Sequence, residues 1–417
     1  MKDTQKLIPN RRFREFMDDG AWEKRKLLER VEKVIDFRGR TPKKLGMDWS
    51  DTGYLALSAL NVKNGFIDPS VDAHYGDQVL YETWMAGNEL HKGQVLFTTE
   101  APMGNVAQVP DDNRYILSQR TIAFEVKKEL ITENYLAVVL GSPNSFADLT
   151  ALCSGGTAKG VSQKSLSGFH ISVPRELEEQ EKIATLFQSL DNLITHHQRK
   201  LEKIKNFKSA YLSKMFPKEG EKYPELRFAG FTDAWEQRQL GELYDSVESG
   251  NRLPKNMLNE GTIPYVIAKT TDNGILMRID EGTSDYHGNK MKMFCGGSIT
   301  FSIDNPEAIF LQNEPFYTSN IMRVLYKKEY NSNHSTFILE SLKKLTNNYN
   351  WSLKFSGPVV MNSSILLPLN GGGKVNWIEV EAIGQVIKSL DNLITLHQRK
   401  LAKLKSIKQA YLNEMFV

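Results

Sequence analysis

One 28-residue passage occurs twice in this chain, and that repeat limits the possible architecture more than any other feature. Residues 189 to 216 read SLDNLITHHQRKLEKIKNFKSAYLSKMF, and residues 389 to 416 read SLDNLITLHQRKLAKLKSIKQAYLNEMF. At a constant offset of 200, only eight of the 28 positions differ: 196, 202, 204, 206, 207, 209, 213 and 214. In a chain without low-complexity bias, so close a match marks a duplication. A weaker repeat opens each copy. Pro9, Arg12, Phe13, Phe16, Asp18, Ala21, Trp22, Glu23, Arg25 and Leu27 recur as Pro224, Arg227, Phe228, Phe231, Asp233, Ala234, Trp235, Glu236, Arg238 and Leu240. The offset slips from 215 to 213 midway, so a loop changed length there. Between these repeats lie two bodies, from about Trp22 to Pro174 and from about Trp235 to Val375, with almost no direct identity. Ends kept alike around divergent middles describe one scaffold carrying two different modules.

The repeated passage belongs to a heptad pattern. Ile183, Phe187, Leu190, Ile194, His197, Leu201, Ile204, Lys208, Tyr211 and Met215 alternate spacings of four and three, as a coiled-coil seam requires. The second copy gives Ile383, Ile387, Leu390, Ile394, His397, Leu401, Leu404, Lys408, Tyr411 and Met415. Charged flanks (Arg199, Lys200, Lys203, Lys205) keep the outer faces wet. Pro174 and the acidic run Glu176, Glu178, Glu179, Glu181 mark a helix start, and Pro217 a stop. Neither helix buries its stripe alone, and the nearest partner is its own copy. A whole body separates the two, so the pairing is expected to be antiparallel, with His197 near Leu401 and Leu201 near His397. At ~1.5 Å per residue, about 35 residues make a rod on the order of 50 Å long. A homo-oligomerising coiled coil is the alternative, but it leaves the duplication unexplained. Lys208 and Lys408 interrupt the seam. His197 and His397 are read as polar core residues fixing register rather than as metal ligands, because no carboxylate or Cys accompanies them at helical spacing.

The bodies read as short strands with turn punctuation. Tyr54–Ser58, Gln94–Thr99, Arg120–Val126 and His170–Pro174 are the strands of the first, with a helix over Glu133–Leu140. The second has Ile263–Ala268, Gly297–Ser302, Ile321–Tyr326 and Ser364–Leu369, with a helix over Thr336–Thr346. The expected fold class is α+β: two mixed α/β domains joined by two long antiparallel coiled-coil helices, with pseudo-two-fold symmetry. The boundaries expected are 1–21 for an opening segment, 22–175 for domain one and 176–216 for spacer helix one. They continue with 217–234 for a linker and second opening motif, 235–375 for domain two and 376–417 for spacer helix two.

Length supports this division, since 417 residues exceed one ordinary core. No stretch approaches the ~20 apolar residues that span a bilayer. The first residues lack a secretion signal, and the two cysteines, Cys153 and Cys295, exclude a disulfide framework or a Cys-rich metal site. A cytoplasmic, membrane-free protein is expected.

Several loops carry residues suited to DNA. The run from Asp36 to Lys44 places Arg38, Arg40, Thr41, Lys43 and Lys44 in a Gly/Pro turn fit for phosphates. Ser118, Gln119 and Arg120 set an adenine-reading amide beside a guanine-reading guanidinium. Ser154–Lys164 adds Thr157, Lys159, Gln163 and Lys164. The second body offers Asn251 and Arg252, then Lys269, Thr270 and Asn273, then Ser319 and Asn320, then Asn362 and Ser363. Singly, each loop reads as ordinary solvated turn; their presence in both bodies favours base contact. The net charge of +3 is small for a chain gripping many phosphates alone, so either DNA is not the ligand or partner chains share the grip. No catalytic motif is present. Gly371-Gly-Gly-Lys lacks the spacing of a phosphate loop, and Asp304-Asn-Pro-Glu is not an amino-methyltransferase motif. No nucleophile elbow, zinc-protease helix or nuclease constellation occurs.

Taken in order, Gly156-Thr-Ala-Lys-Gly, Ile171-Ser-Val-Pro, Glu178-Glu-Gln-Glu-Lys-Ile-Ala, Leu190-Asp-Asn-Leu-Ile, Gln198-Arg-Lys-Leu and Lys208-Ser-Ala-Tyr-Leu-Ser-Lys-Met-Phe-Pro carry a resemblance. So does Leu226-Arg-Phe-Ala-Gly-Phe-Thr-Asp-Ala-Trp-Glu. Together they resemble the specificity (S) subunit of type I restriction-modification systems, the methylase-S family. The second copy departs in having Ile378-Glu379-Val380 for Glu178-Glu179-Gln180, Gly384 within the helix, and no Gly-Thr-Ala-Lys-Gly loop between Ser356 and Pro368. The resemblance implies a non-catalytic subunit with two target-recognition domains, each reading half of a split sequence in double-stranded DNA across a helical spacer. It implies as partners two modification subunits, which hold S-adenosylmethionine and methylate adenine, and two restriction subunits, which hold ATP and Mg²⁺. No cofactor is expected in this chain. A shared grip would explain the mild charge. The alternatives are the recognition subunit of a fused methylase-nuclease (type IIB-like) system, or a coiled-coil adapter that does not bind DNA.

Overall fold

The computed structural model describes residues 7–153, 160–254 and 261–416. The chain divides into two compact units, Met1–Gln198 with Arg399–Val417, and Arg199–Gln398. Each holds one body and parts of both long helices, which run over Leu177–Lys214 and Trp377–Met415.

Within each unit the helix segments are antiparallel, as expected. In unit 1 the ring centroids of Phe187 and Phe416 lie 5.9 Å apart, and Lys408 Nζ donates to Asp191 Oδ1 at 2.6 Å. In unit 2 the reciprocal bond runs from Lys208 Nζ to Asp391 Oδ1 at 2.7 Å. The two lysines that interrupt the seam are thus tied to the aspartates of the repeated Leu-Asp-Asn-Leu-Ile. Lys208 also reaches the buried Glu340 at 3.2 Å. Burial pulls the Lys208 ammonium down, but Glu340 and Asp391 outweigh it and hold the group above its ordinary value, so it remains charged.

The heptad reading needs one correction. Beyond the lysines the buried positions are Leu412, Met415 and Phe416 in unit 1, and Met215 and Phe216 with half-buried Leu212 in unit 2, while Tyr211 is exposed. There the helix end enters a domain core, which demands a broader apolar face than a two-helix seam.

The two bodies, divergent in sequence, share the topology of three sheets; unit 1 adds a hairpin, Val62–Lys63 with Phe66–Ile67. In unit 1 an antiparallel pair, Glu23–Lys26 with His170–Val173, closes the body at both ends. A four-stranded antiparallel sheet has the order Val31–Asp36, Thr121–Val126, Val95–Thr98, Val106–Gln108. A smaller sheet orders Tyr75–Gly76, Tyr54–Leu57, Ile116–Leu117, the last two parallel. In unit 2 the closing pair is Trp235–Gln239 with Ser364–Pro368. Its four-stranded sheet runs Glu248–Ser249, Met322–Leu325, Ile299–Ser302, Ile309–Leu311. Its smaller sheet runs Ile275–Ile279, Ile263–Val266, Tyr317–Thr318, again with the last two parallel. Side chains alternate across the sheets and serve two cores. Ile122 and Phe124 join Trp22, Tyr135 and Phe187, whereas Ala123 joins Leu57, Trp84 and Ile116.

The weak repeat at the head of each copy docks on the start of a long helix. Arg12 Nε and Nη2 donate to Glu179 at 2.6 and 2.7 Å, and Arg227 meets Glu379 in the same fork at 2.7 and 2.8 Å. Glu179 and Glu379 form one of two acidic pairs common to both copies of the helix start, the other being Glu181 and Glu381, and the side chains of Glu179 and Glu379 are 1% and 0% exposed. Gly384 has a local cause. A Cβ there would lie 2.0 Å from the Asn333 carbonyl oxygen, at the start of the helix Ser332–Asn347.

Candidate nucleic-acid interface

In unit 1 the cation-rich turn is built on its own hydrogen bonds. Arg38 is clamped by Asp36, with Nε to Oδ2 at 2.8 Å, and donates from Nη1 to the Val161 carbonyl oxygen at 2.6 Å. Arg40 lies 4.4 Å above the Phe37 ring and donates to the Trp84 carbonyl oxygen. Thr41 caps the short turn Pro42–Leu45 by accepting from Lys44 N, and Gly46 closes it with φ of 71°, a left-handed conformation suited to glycine. Lys44 Nζ donates to the Gly39 carbonyl oxygen at 2.6 Å. The Lys43 side chain is exposed and makes no hydrogen bond to a described residue.

Folding brings this turn to residues some eighty positions away. One cleft of about 190 Å³ is lined by Arg40, Thr41, Lys43, Trp49, Trp84, Ser118 and Gln119, among others. A second, of about 300 Å³, shares Trp49, Ser118 and Gln119 and adds Ser58, Asp72, His74 and Arg120. Arg120 is exposed and pairs with Glu100 at 3.2 Å. Gln163 and Lys164 are exposed at the start of the short helix Gln163–Gly168 and line neither cleft. Thr157 and Lys159 lie outside the described residues. Trp49, Trp84 and His74 are not among the expected residues; a lone aromatic in a loop (Trp49, His74) or in the short helix Gln78–Met85 (Trp84) gives a single sequence no signal that separates a cleft wall from core.

Unit 2 gathers Asn251, Ser319 and the start of the 268–273 loop. Asn251 N donates to the Thr318 carbonyl oxygen at 2.8 Å, and Ser319 N to that of Val266 at 3.0 Å. Asn251 Nδ2 is bound to Asp285 at 3.1 Å. Burial alone would raise the Asp285 carboxyl, but hydrogen bonds from the Asn289 and His287 backbone and from Asn251 hold it below its usual value. Burial pushes the Tyr265 hydroxyl up, so it remains a donor to the Asn251 carbonyl oxygen at 2.9 Å. Arg252 lies 5.5 Å from the Tyr286 ring centroid. Lys269 is tied to Asp272 at 2.9 Å, while Thr270, Asn273 and Asn320 are exposed. Asn362 and Ser363 sit apart from these: Asn362 ends the helix Gly357–Asn362, Ser363 Oγ donates to Val359, and the Ser363 carbonyl accepts from Leu240 N beside the closing strand pair.

Residues 20–206 and 232–406 match the family described as the type I restriction modification DNA specificity domain. The chain is 27% identical over 223 residues to the type I restriction enzyme MjaIX specificity subunit of Methanocaldococcus jannaschii, spanning 50% of each. It is 23% identical over 350 residues to the MjaVIII specificity subunit of that organism, covering 74% of this chain and 75% of that one. It is 23% identical over 202 residues to the type II restriction enzyme BgcI specificity subunit S.BcgI of Heyndrickxia coagulans, covering 45% and 55%. The chain therefore spans about half the length of the MjaIX relative. The fold is similar to that of the crystallised type I restriction-modification S subunit from M. genitalium, with a TM-score of 0.67 at 15% identity over 99% of both chains. The two matched segments take in most of the residues, one in each body, and the chain belongs to the type I restriction-modification DNA specificity family.

Proposed function

We propose that this chain is the non-catalytic subunit that recognises a bipartite DNA sequence and directs adenine methylation and restriction by partner subunits. The observation that supports this reading is one topology built twice with different loops. A shared scaffold explains how both bodies fold, and divergent loops are what two different half-sites require. Two modification and two restriction subunits complete the proposed assembly in the cytoplasm. S-adenosylmethionine, ATP and Mg²⁺ belong to those partners in this reading, and none to this chain. Among the described residues, no helix is long and apolar enough to cross a membrane.

The decisive experiment exchanges residues 22–174 for the first body of another family member and maps methylated adenines in a host that also makes the partners. One half of the methylated motif should change and the other stay. A change in both halves, or in neither, would end the proposal. The likeness to S.BcgI favours a second reading, in which the partner is a single fused methylase-nuclease polypeptide. Purifying the chain from its native host and identifying the subunits that come with it separates the two.

The cation-rich turn now divides. Arg38 and Arg40 are committed to internal carbonyl oxygens, whereas Lys43 faces solvent at the cleft rim. Lys43→Ala should weaken binding equally at specific and unrelated duplexes. It should also lower the slope of log affinity against log salt by ~0.9, the loss of one phosphate contact. An unchanged slope would place Lys43 outside the interface.

A further inference from the structure

The matched topology singles out one turn from among the loops. Ile116–Leu117 leads through Ser118, Gln119 and Arg120 into Thr121–Val126, and Tyr317–Thr318 leads through Ser319, Asn320 and Ile321 into Met322–Leu325. Three backbone hydrogen bonds clamp each turn, and they correspond one to one. Ser118 N donates to Leu57 O at 3.1 Å, Thr121 N to Ser118 O at 3.2 Å, and Thr99 N to Arg120 O at 2.9 Å. In unit 2, Ser319 N donates to Val266 O at 3.0 Å, Met322 N to Ser319 O at 3.1 Å, and Ile303 N to Ile321 O at 3.2 Å. The residue held between the clamped neighbours carries a carboxamide in both cases. Neither the Gln119 nor the Asn320 side chain makes a hydrogen bond to another described residue, and Gln119 lines both clefts of unit 1. Three other candidate amides differ. Asn251 has its side chain engaged by Asp285 and by the Lys292 N–H. Gln163 opens a short helix whose counterpart opens on Gly357, and Asn362 ends that counterpart where the first helix ends on Gly168.

We propose that Gln119 and Asn320 are the adenine-reading residues of the two half-sites, each presented on the same rigid turn. The assignment rests on the DNA-recognition reading above. A carboxamide offers one donor and one acceptor side by side, the pattern that matches N7 and the N6 amino group of adenine in the major groove. A turn fixed on both sides sets the point and direction from which the carboxamide leaves the backbone, so binding has only the side-chain rotamers left to order.

The test uses the full chain assembled with its modification subunits. Methylated positions are mapped in cells, and binding is measured by competition with duplexes that each carry one substituted base pair. Gln119→Ala should make one adenine position in one half of the motif degenerate, with discrimination there falling roughly 5- to 150-fold and the other half unchanged. Asn320→Ala should do the same to an adenine in the opposite half. Gln119→Glu should shift the preferred base at its position from adenine to cytosine, whose amino group a carboxylate accepts. A wild-type motif that persists in both alanine variants overturns the assignment and leaves the DNA-recognition reading standing. So does relaxation at a base other than adenine, or in both halves at once. Equal loss of affinity for specific and unrelated duplexes overturns it as well, by making the turn a phosphate contact or a scaffold. A wild-type assembly that binds all sequences alike would instead defeat the underlying reading.

Discussion

Arg227→Ala is expected to destabilise unit 2 by about 3–5 kcal/mol, because it strands a carboxylate in a site closed to water. Glu379 is 0% exposed and holds the Arg227 guanidinium in a two-bond fork. Nothing else among the described side chains replaces that cation: Trp235 of the same motif has its indole N–H buried without a partner. The first copy differs at its carboxylate. There Trp22 Nε1 donates to Glu179 Oε1 at 3.2 Å, so Arg12→Ala leaves one donor on the buried carboxylate. Its cost should be smaller by roughly the 1.5–3 kcal/mol that a hydrogen bond to a charged group contributes. Urea unfolding of the full chain, followed by tryptophan fluorescence, compares the two variants. The double variant Arg227→Met with Glu379→Leu should recover most of the loss, since a buried ion pair replaced by apolar groups of similar size is often neutral. Arg227→Ala within 1 kcal/mol of the parent would show that water reaches Glu379.

Gly384→Ala is the second large effect, and its sign runs against helix propensity. In a solvated helix interior the change would stabilise by about 1 kcal/mol. Here the new methyl carbon would stand 2.0 Å from the Asn333 carbonyl oxygen, less than any real contact, and Asn333 is backbone in the first turn of a packed helix. Relieving the overlap means moving that helix off the core, at about 1–3 kcal/mol or more. The net expectation is a loss of about 2 kcal/mol. The first copy carries Ala184 at the corresponding place, fully buried, so the substitution makes the two copies more alike and unit 2 less stable. A higher unfolding midpoint for Gly384→Ala would show that the helix over Ser332–Asn347 yields without cost.

Much of this fold is legible before any coordinates. The helix expected over Glu133–Leu140 has those bounds, and the strands at Tyr54, Gln94, Arg120, His170, Ile263, Gly297, Ile321 and Ser364 all form. Alternation and heptads are local patterns, and each was long enough to read. What the sequence hid was pairing between distant parts. Arg12 and Glu179 stand 167 positions apart, and Lys408 and Asp191 are 217 apart; no periodicity links them. The lysines therefore read as interruptions, although each is the partner of a repeated aspartate. The candidate loops were harder still. Arg38, Lys269 and Asn251 have the composition of DNA contacts, yet their side chains are hydrogen-bonded within the protein. Composition reports which groups are polar, and only the fold reports which remain unsatisfied. The common topology was invisible for a related reason: loops of unequal length had erased the alignment that strand order restores.

Phe416 carries a consequence for how the chain comes to be made. Its ring lies 6.1 Å from those of both Trp22 and Tyr135 and 5.9 Å from that of Phe187, in the middle of the unit 1 core. Arg11, near the other end of that unit, binds Glu414. A ribosome reaches these residues only after it has made the whole of Arg199–Gln398. At ~5–20 residues per second, that interval is roughly 10–40 s. Through it the nascent unit 1 holds its strands without the last piece of its core, whereas every residue of unit 2 is made before that piece. The N-terminal half of the polypeptide is thus the later of the two to close, and in the meantime it presents an apolar socket shaped for its own C-terminal helix. A released chain truncated after Gln398 should accordingly leave Trp22 open to quenchers and Trp235 shielded, and the chain carried through Phe416 should shield both.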